Sequence, residues 1–232
     1  YATWHRNSVN AKRCLSCAKA ESSNIGGGNV SNPPPSFQEF ARLVLDALEA
    51  ADVEYLVGGA VAVWAWAEAR AIRNFDVVNE LRGERIVQFS KELRRRQMLL
   101  PADVIIDIWM QPEGDLPLNA IHLDSGYKAE FFLLRPDDAH RAIALKRRLL
   151  VDLGQPLGEV YVHSPEDLIL YKLQYFALSH QTKHIRDIAS VMAYLDTELD
   201  WAYIEQWVST LNLAETWLDV CGQVDDMMKG NL

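Results

Sequence analysis

The sequence predicts an α/β (α+β) fold: a mixed sheet flanked by helices, running into a C-terminal helical bundle. Two patterns carry that prediction. Up to about residue 163, apolar runs of strand length alternate with amphipathic stretches of helical period; beyond it the helical period is unbroken. With 232 residues, 49% hydrophobic and 24% charged, the chain has enough apolar material for one ample core. No window approaches the roughly 18 uncharged apolar residues that span a bilayer, so no membrane role is expected. Cys14, Cys17 and Cys221 make no disulfide framework, which suits a reducing, cytoplasmic setting.

Residues 1–36 stand apart. "SSNIGGGNVSNPPPS" closes on Pro33, Pro34 and Pro35 and reads as a low-complexity leader and linker outside the core. The chain begins at Tyr1 without methionine, which fits an incomplete or foreign upstream segment, and no apolar h-region marks a secretory signal. Cys14 and Cys17 have the spacing of half a zinc site, but no second pair follows. The expected division is a leader over 1–36, an α/β domain over 37–163 and a helical region over 164–232.

From Ser36 the elements follow in order. "SFQEFARLVLDALEAA" sets Phe37, Phe40, Val44, Ala47 and Leu48 at helical spacing behind a Ser36 cap. "VEYLVGG" reads as a strand that stops on glycine, and "AVAVWAWAEAR" as a helix directly after it. "NFDVVNEL" is a strand. "GERIVQFSKELRRR" is an amphipathic helix with its cations at the C-terminal end, where the helix dipole favours them. Residues 101–116 fit either a short strand or a buried helical turn. "NAIHL" and "YKAEFFLL" flank Asp124-Ser125-Gly126, a hairpin signal. A helix over "DDAHRAIALKRRLL" and a strand over "GEVYVHS" come next. Four helices finish the chain: "SPEDLILYKLQYFAL", capped by Ser164, then "TKHIRDIASVMAYL", "LDWAYIEQWVSTL" and "AETWLDVCGQV".

Three places invite chemistry. A strand that ends in Gly58-Gly59 and feeds a helix exposes backbone N–H groups at the positive helix end, and the missing side chains let a phosphate approach. A plain tight turn uses the same residues. Asn74 and Asp76 are two apart on one strand and so share a face. Glu130 sits on another strand beside Phe131 and Phe132. Carboxylates inside apolar runs are costly to bury unpaired, and two of them near a phosphate-cradling turn suit Mg²⁺ and a triphosphate. Salt bridges at strand ends are the alternative.

Together, "YLVGGAVAVWAWAEARAIRNFDVV" and "NAIHLDSGYKAEFFLL" resemble the nucleotidyltransferase superfamily, with its Gly-Gly or Gly-Ser turn, Asp-x-Asp strand and third acid on a later strand. The segments "ALKRRLL", "HSPEDLILYKL" and "KHIRDIASVM" look more narrowly like bacterial and archaeal nucleotidyltransferase-like proteins related to abortive-infection toxins. The resemblance covers about residues 37–220. It implies a nucleotidyltransferase-type sheet and Mg²⁺- or Mn²⁺-dependent transfer of a nucleoside monophosphate from an NTP to an acceptor. The acceptor stays open between protein, RNA and small molecule. Gly58 and Gly59 would cradle phosphates, with Lys172, Asp187, Arg186 and Arg148 also on the nucleotide. Asp76, Glu130 and Asn74 would form the catalytic and metal set, Glu130 as general base. Two departures stand out: Asn74 replaces the first acid with a neutral group, and Glu130 is one methylene longer than the usual aspartate. They leave room for a second reading, a catalytically weakened binding protein that serves a partner in a toxin–antitoxin or defence system.

Charge agrees with a small ligand. Residues 1–36 carry Arg6, Lys12, Arg13 and Lys19 against Glu21, a net +3, so the formal −9 of the chain leaves −12 for the rest. So acidic a body repels a long phosphate polymer but accepts a nucleotide carried with a divalent cation. Arg141, Lys146, Arg147 and Arg148 form the strongest basic patch, suited to phosphate or to solvent. His180 and His184, four apart on a helix, have metal-ligand spacing without a third partner. His122 reads as a strand-end residue. Trp64 and Trp66 are expected to be partly buried, or one of them to face a partner.

Overall fold

The first helix starts where the sequence places it. In the computed structural model, α1 (Phe37–Ala50) begins behind Ser36, whose hydroxyl accepts the Glu39 N–H while the Glu39 carboxylate accepts the Ser36 N–H. The structure describes residues 33–68, 72, 74–111 and 114–229. Most of the leader, with Cys14 and Cys17, lies outside them, and Pro34–Leu232 form one unit.

The next elements are β1 (Glu54–Val57), α2 (Gly59–Trp66), β2 (Asn74–Glu80), α3 (Ile86–Arg95), β3 (Met98–Leu99) and α4 (Ala102–Trp109). After them come β4 (Leu118–His122), β5 (Lys128–Leu133), α5 (Ala139–Arg147), β6 (Leu149–Asp152) and β7 (Glu159–Val162). The C-terminal helices are α6 (Pro165–Ser179), α7 (Thr182–Leu195), α8 (Trp201–Thr210) and α9 (Ala214–Met228). The ambiguous stretch 101–116 resolves as the helix α4, in which only Ile105 is buried; a half-buried strand would have buried alternate residues. Leu149 and Leu150, read as the end of a helix, instead belong to the edge strand β6. Arg148 has φ −52° and ψ 144°, which ends α5 and turns the chain into that strand.

The sheet has the order β3-β4-β5-β2-β1-β7-β6. Four neighbouring pairs are antiparallel, and β2–β5 and β1–β7 are parallel. This is the mixed sheet that the sequence predicts, with antiparallel pairs in the majority.

The two faces of the sheet differ. On one, Phe75, Val77, Ala129 and Phe131 are fully buried with Phe40 of α1 and Phe89 of α3, and the Phe89 and Phe131 rings meet edge to face at 5.1 Å. Each such Phe or Val side chain contributes about 1.5–3 kcal/mol by leaving water. The other face is covered by α5 and α6, where Leu56 and Val78 pack with Ala144, Leu145 and Tyr171. Asp76 and Glu130 lie on this second face, beside the end of that cover. Among the described residues no helix is long and apolar enough to cross a membrane.

Candidate active site

The site begins at the end of β1. That strand runs antiparallel to β2 with Val57 opposite Val77, so the chain leaves β1 beside the start of β2. There the Gly58 N–H donates to the Asp76 carbonyl at 2.9 Å, and Gly58 opens α2 with no side-chain cap. Gly59 has φ +57°, and a Cβ on it would lie 1.8 Å from Asp76 Oδ2. Glycine is needed at 59 for its left-handed backbone and again for the space its side chain leaves. The bend therefore rests directly on the Asp76 carboxylate.

Parallel pairing of β2 with β5 supplies the second acid. Asp76 stands opposite Glu130, so both side chains leave the same face. Two residues earlier Asn74 stands opposite Lys128. Asn74 Nδ2 lies 3.5 Å from Glu130 Oε1, and the Lys128 ammonium pairs with that same oxygen. Asp76, Glu130, Asn74, Gly58 and Gly59 line one hollow of about 700 Å³. Burial, and then the adjacent charge of Glu130, pushes the Asp76 carboxyl up to about 6, while Lys172 and Lys183 pull it down. A hard divalent cation relieves such repulsion, and carboxylate oxygens are the donors Mg²⁺ and Mn²⁺ prefer. The residues present fit the ion.

The remaining candidates divide. Lys172 lines the hollow, but its ammonium donates to Asp187 Oδ2 at 2.7 Å, so these two hold each other and tie α6 to α7. Arg186 is exposed on α7 and does not line the hollow. Arg148 does not line the hollow. Its guanidinium donates to the Leu145 carbonyl at 2.7 Å, pairs with Glu54 at 3.3 Å and lies over the Tyr161 ring. The basic patch is dispersed in the same way. Arg141 is buried in the lining of the hollow against Asp115 and Asp138, and Arg147 pairs with Glu166 and Asp167. Tertiary carboxylates from other elements claim each arginine.

His184 is buried and stacked on Tyr175, whereas His180 is exposed at the end of α6 with φ 52°, so the two share no metal face. The buried His122 ring lies 3.0 Å from the Ser125 hydroxyl. Trp64 and Trp66 are both partly buried against the core, and the Trp66 indole donates to the His163 carbonyl at 2.8 Å.

Sequence reasoning missed two contributors. Lys128 was legible, since a residue two before Glu130 on a strand must share its face. His163, just after β7, had no local signal. It is 2% exposed and lines the hollow, and a Cβ on Gly58 would meet its ring at 3.3 Å. Burial pushes its ring down to about 3, which leaves it neutral behind the glycine bend.

The sequence matches no known family model and no curated protein. Its fold does have solved counterparts. The antibiotic-resistance factor ANT(2'')-Ia aligns with TM-score 0.53 and 16% identity over 80% of this chain and 96% of that one. A crystal structure of that factor in complex with adenylyl-2''-tobramycin aligns with TM-score 0.47 and 16% identity, over 67% of this chain and 87% of that one. An antigenic nucleotidyltransferase-like protein from Paracoccidioides brasiliensis gives TM-score 0.48 and 13% identity over 81% of this chain and 91% of that one. At such identities the likeness is one of architecture, and the chain carries the nucleotidyltransferase fold.

Proposed function

We propose that the protein transfers a nucleoside monophosphate from an NTP to an acceptor. One observation carries the reading: Asp76 and Glu130 stand opposite each other on β2 and β5, in the hollow that receives the Gly58-Gly59 bend. Backbone amides at the start of α2 would orient the triphosphate, with the positive end of the helix offsetting its charge. Asp76, with Glu130, would hold Mg²⁺, which when bound neutralises charge building on the phosphoryl oxygens. Glu130 would accept the acceptor's proton as its oxygen bonds to the α-phosphorus. The bond from that phosphorus to the β-phosphate oxygen then breaks, and pyrophosphate leaves. The fold match to ANT(2'')-Ia supports this class of chemistry and a small-molecule acceptor.

The second reading is a nucleotide-binding partner protein with a blunted centre, of the toxin–antitoxin or defence kind. Asn74 in place of the first acid, and Lys128 against Glu130, favour it. Incubation with each α-labelled NTP, Mg²⁺ and a panel of small-molecule, RNA and protein acceptors separates the two. Transfer of label with release of pyrophosphate, lost in Asp76→Asn, is expected; nucleotide binding with no turnover across the panel would favour the partner role.

A further inference from the structure

We propose that Lys128 is a built-in cation in the place of a second metal ion, so that the hollow takes one divalent ion together with a nucleotide. The inference rests on the nucleotidyl-transfer reading above. Two ions that clamp the attacking and leaving oxygens need carboxylates reaching both, and affinity follows the number of charged ligands. Here the supply of acid is short. Among the described residues no third His, Cys, Asp or Glu joins Asp76 and Glu130.

The position that lacks an acid is answered by a base. Asn74 is neutral, and its amide faces Glu130 Oε1 at 3.5 Å. Directly across the parallel ladder from Asn74 stands Lys128, whose ammonium pairs with that same oxygen. Strand alternation forces the arrangement, because Lys128 and Glu130 are two apart and share a face. Neither side chain is remote from solvent, at 35% and 19% exposed. Glu130 lines the hollow and Lys128 an adjoining pocket that shares Asn74 with it, so the ammonium reaches the Glu130 carboxylate from beside the hollow. Relative to a three-acid centre, one negative charge is gone and one positive charge has been added. Asp76, Glu130 and Lys128 then sum to a single negative charge, which supports one divalent ion and opposes a second.

Counting Mn²⁺ tests this without reference to turnover. Free Mn²⁺ is followed by electron paramagnetic resonance while the full chain is titrated in the presence of the α,β-methylene analogues of the four NTPs. The unaltered chain should bind one Mn²⁺. Lys128→Met should tighten that ion about tenfold by removing one opposing charge, and the double variant Asn74→Asp/Lys128→Met should take up a second ion. Two ions in the unaltered chain, or one in a double variant whose melting curve shows it folded, would overturn the inference and leave the functional reading standing. No ion in any form would overturn both. The count on the unaltered chain depends on no substitution.

Discussion

Two acids, the fully buried Asp167 of α6 and the half-buried Asp76 of β2, show how the same side chain serves opposite ends. Asp167, in the first turn of α6, is fully buried and surrounded by donors. Its Oδ2 accepts the Ser164 hydroxyl at 2.9 Å and faces the Arg147 guanidinium at 3.3 Å. Its Oδ1 accepts the Tyr203 hydroxyl at 2.7 Å, with His140 Nε2 at 3.4 Å. Burial alone would raise this carboxyl, but His140, Tyr203 and Ser164 outweigh it and hold the group below the usual range. Asp76 has a second acid opposite it, and burial and that neighbour push it up. A carboxylate saturated by its own protein binds α5, α6 and α8 together. One left facing another carboxylate is poised for a cation from outside.

The contrast can be broken first at Asp167. Asp167→Ala strands the Tyr203 hydroxyl and leaves Arg147 with Glu166 alone, and loss of one partner from a buried ionic network costs about 3–5 kcal/mol. A drop of ~10 °C in the calorimetric melting temperature is expected; a shift within a degree or two would show the network to be ornamental. Gly59→Ala comes next. It forces a left-handed backbone on alanine and drives a methyl into the Asp76 carboxylate. Strain of that kind costs about 1–3 kcal/mol, and nucleotide binding should disappear along with it. Preserved binding would mean the bend is not the cradle.

His163 sharpens the comparison through pH. Its folded value, about 3, lies below the ordinary 6.5, so the unfolded chain binds the proton more readily. The stabilisation is therefore complete above pH 6.5 and is lost progressively as pH falls toward 3. About 2 kcal/mol should vanish between pH 7 and 5. Denaturant titrations across that range should show the slope flattened in His163→Gln, and an unchanged slope would contradict the assignment. The smallest effect has the opposite sign from the first. Asp76→Asn removes the repulsion with Glu130 and should stabilise the fold by about 1 kcal/mol while abolishing metal-dependent nucleotide binding. Destabilisation there would make Asp76 a structural acid like Asp167.

Much of this was legible in one dimension. Gly58-Gly59 and the acids Asp76 and Glu130, set in apolar runs, stood out because strand alternation and the cost of burying charge are local properties. Their meeting was not local. Asp76 reaches Glu130 only because β2 and β5 pair in parallel, after a crossover through α3, β3, α4 and β4 that no spacing reveals. Asp167 lies in the first helical turn behind the Ser164 cap, where an acid suits the dipole, but its ties to Arg147 and Tyr203 come from elements 20 and 36 residues away. Lys172 and Asp187, both expected at the nucleotide, are joined across two helices. The arginines seemed one patch because they are neighbours in the chain, yet each meets carboxylates of different elements. Charge patterning shows which side chains need partners; only tertiary packing decides which partners they find.

The central claim is that the Asp76–Glu130 face is built to receive a cation with a nucleotide. Isothermal calorimetry of each NTP, with Mg²⁺ and with chelator, on the unaltered chain and on Asp76→Asn, tests it most directly. Binding of at least one NTP that requires Mg²⁺ and is lost in the variant is the predicted result. Nucleotide binding equally strong with chelator, or untouched in Asp76→Asn, would contradict it.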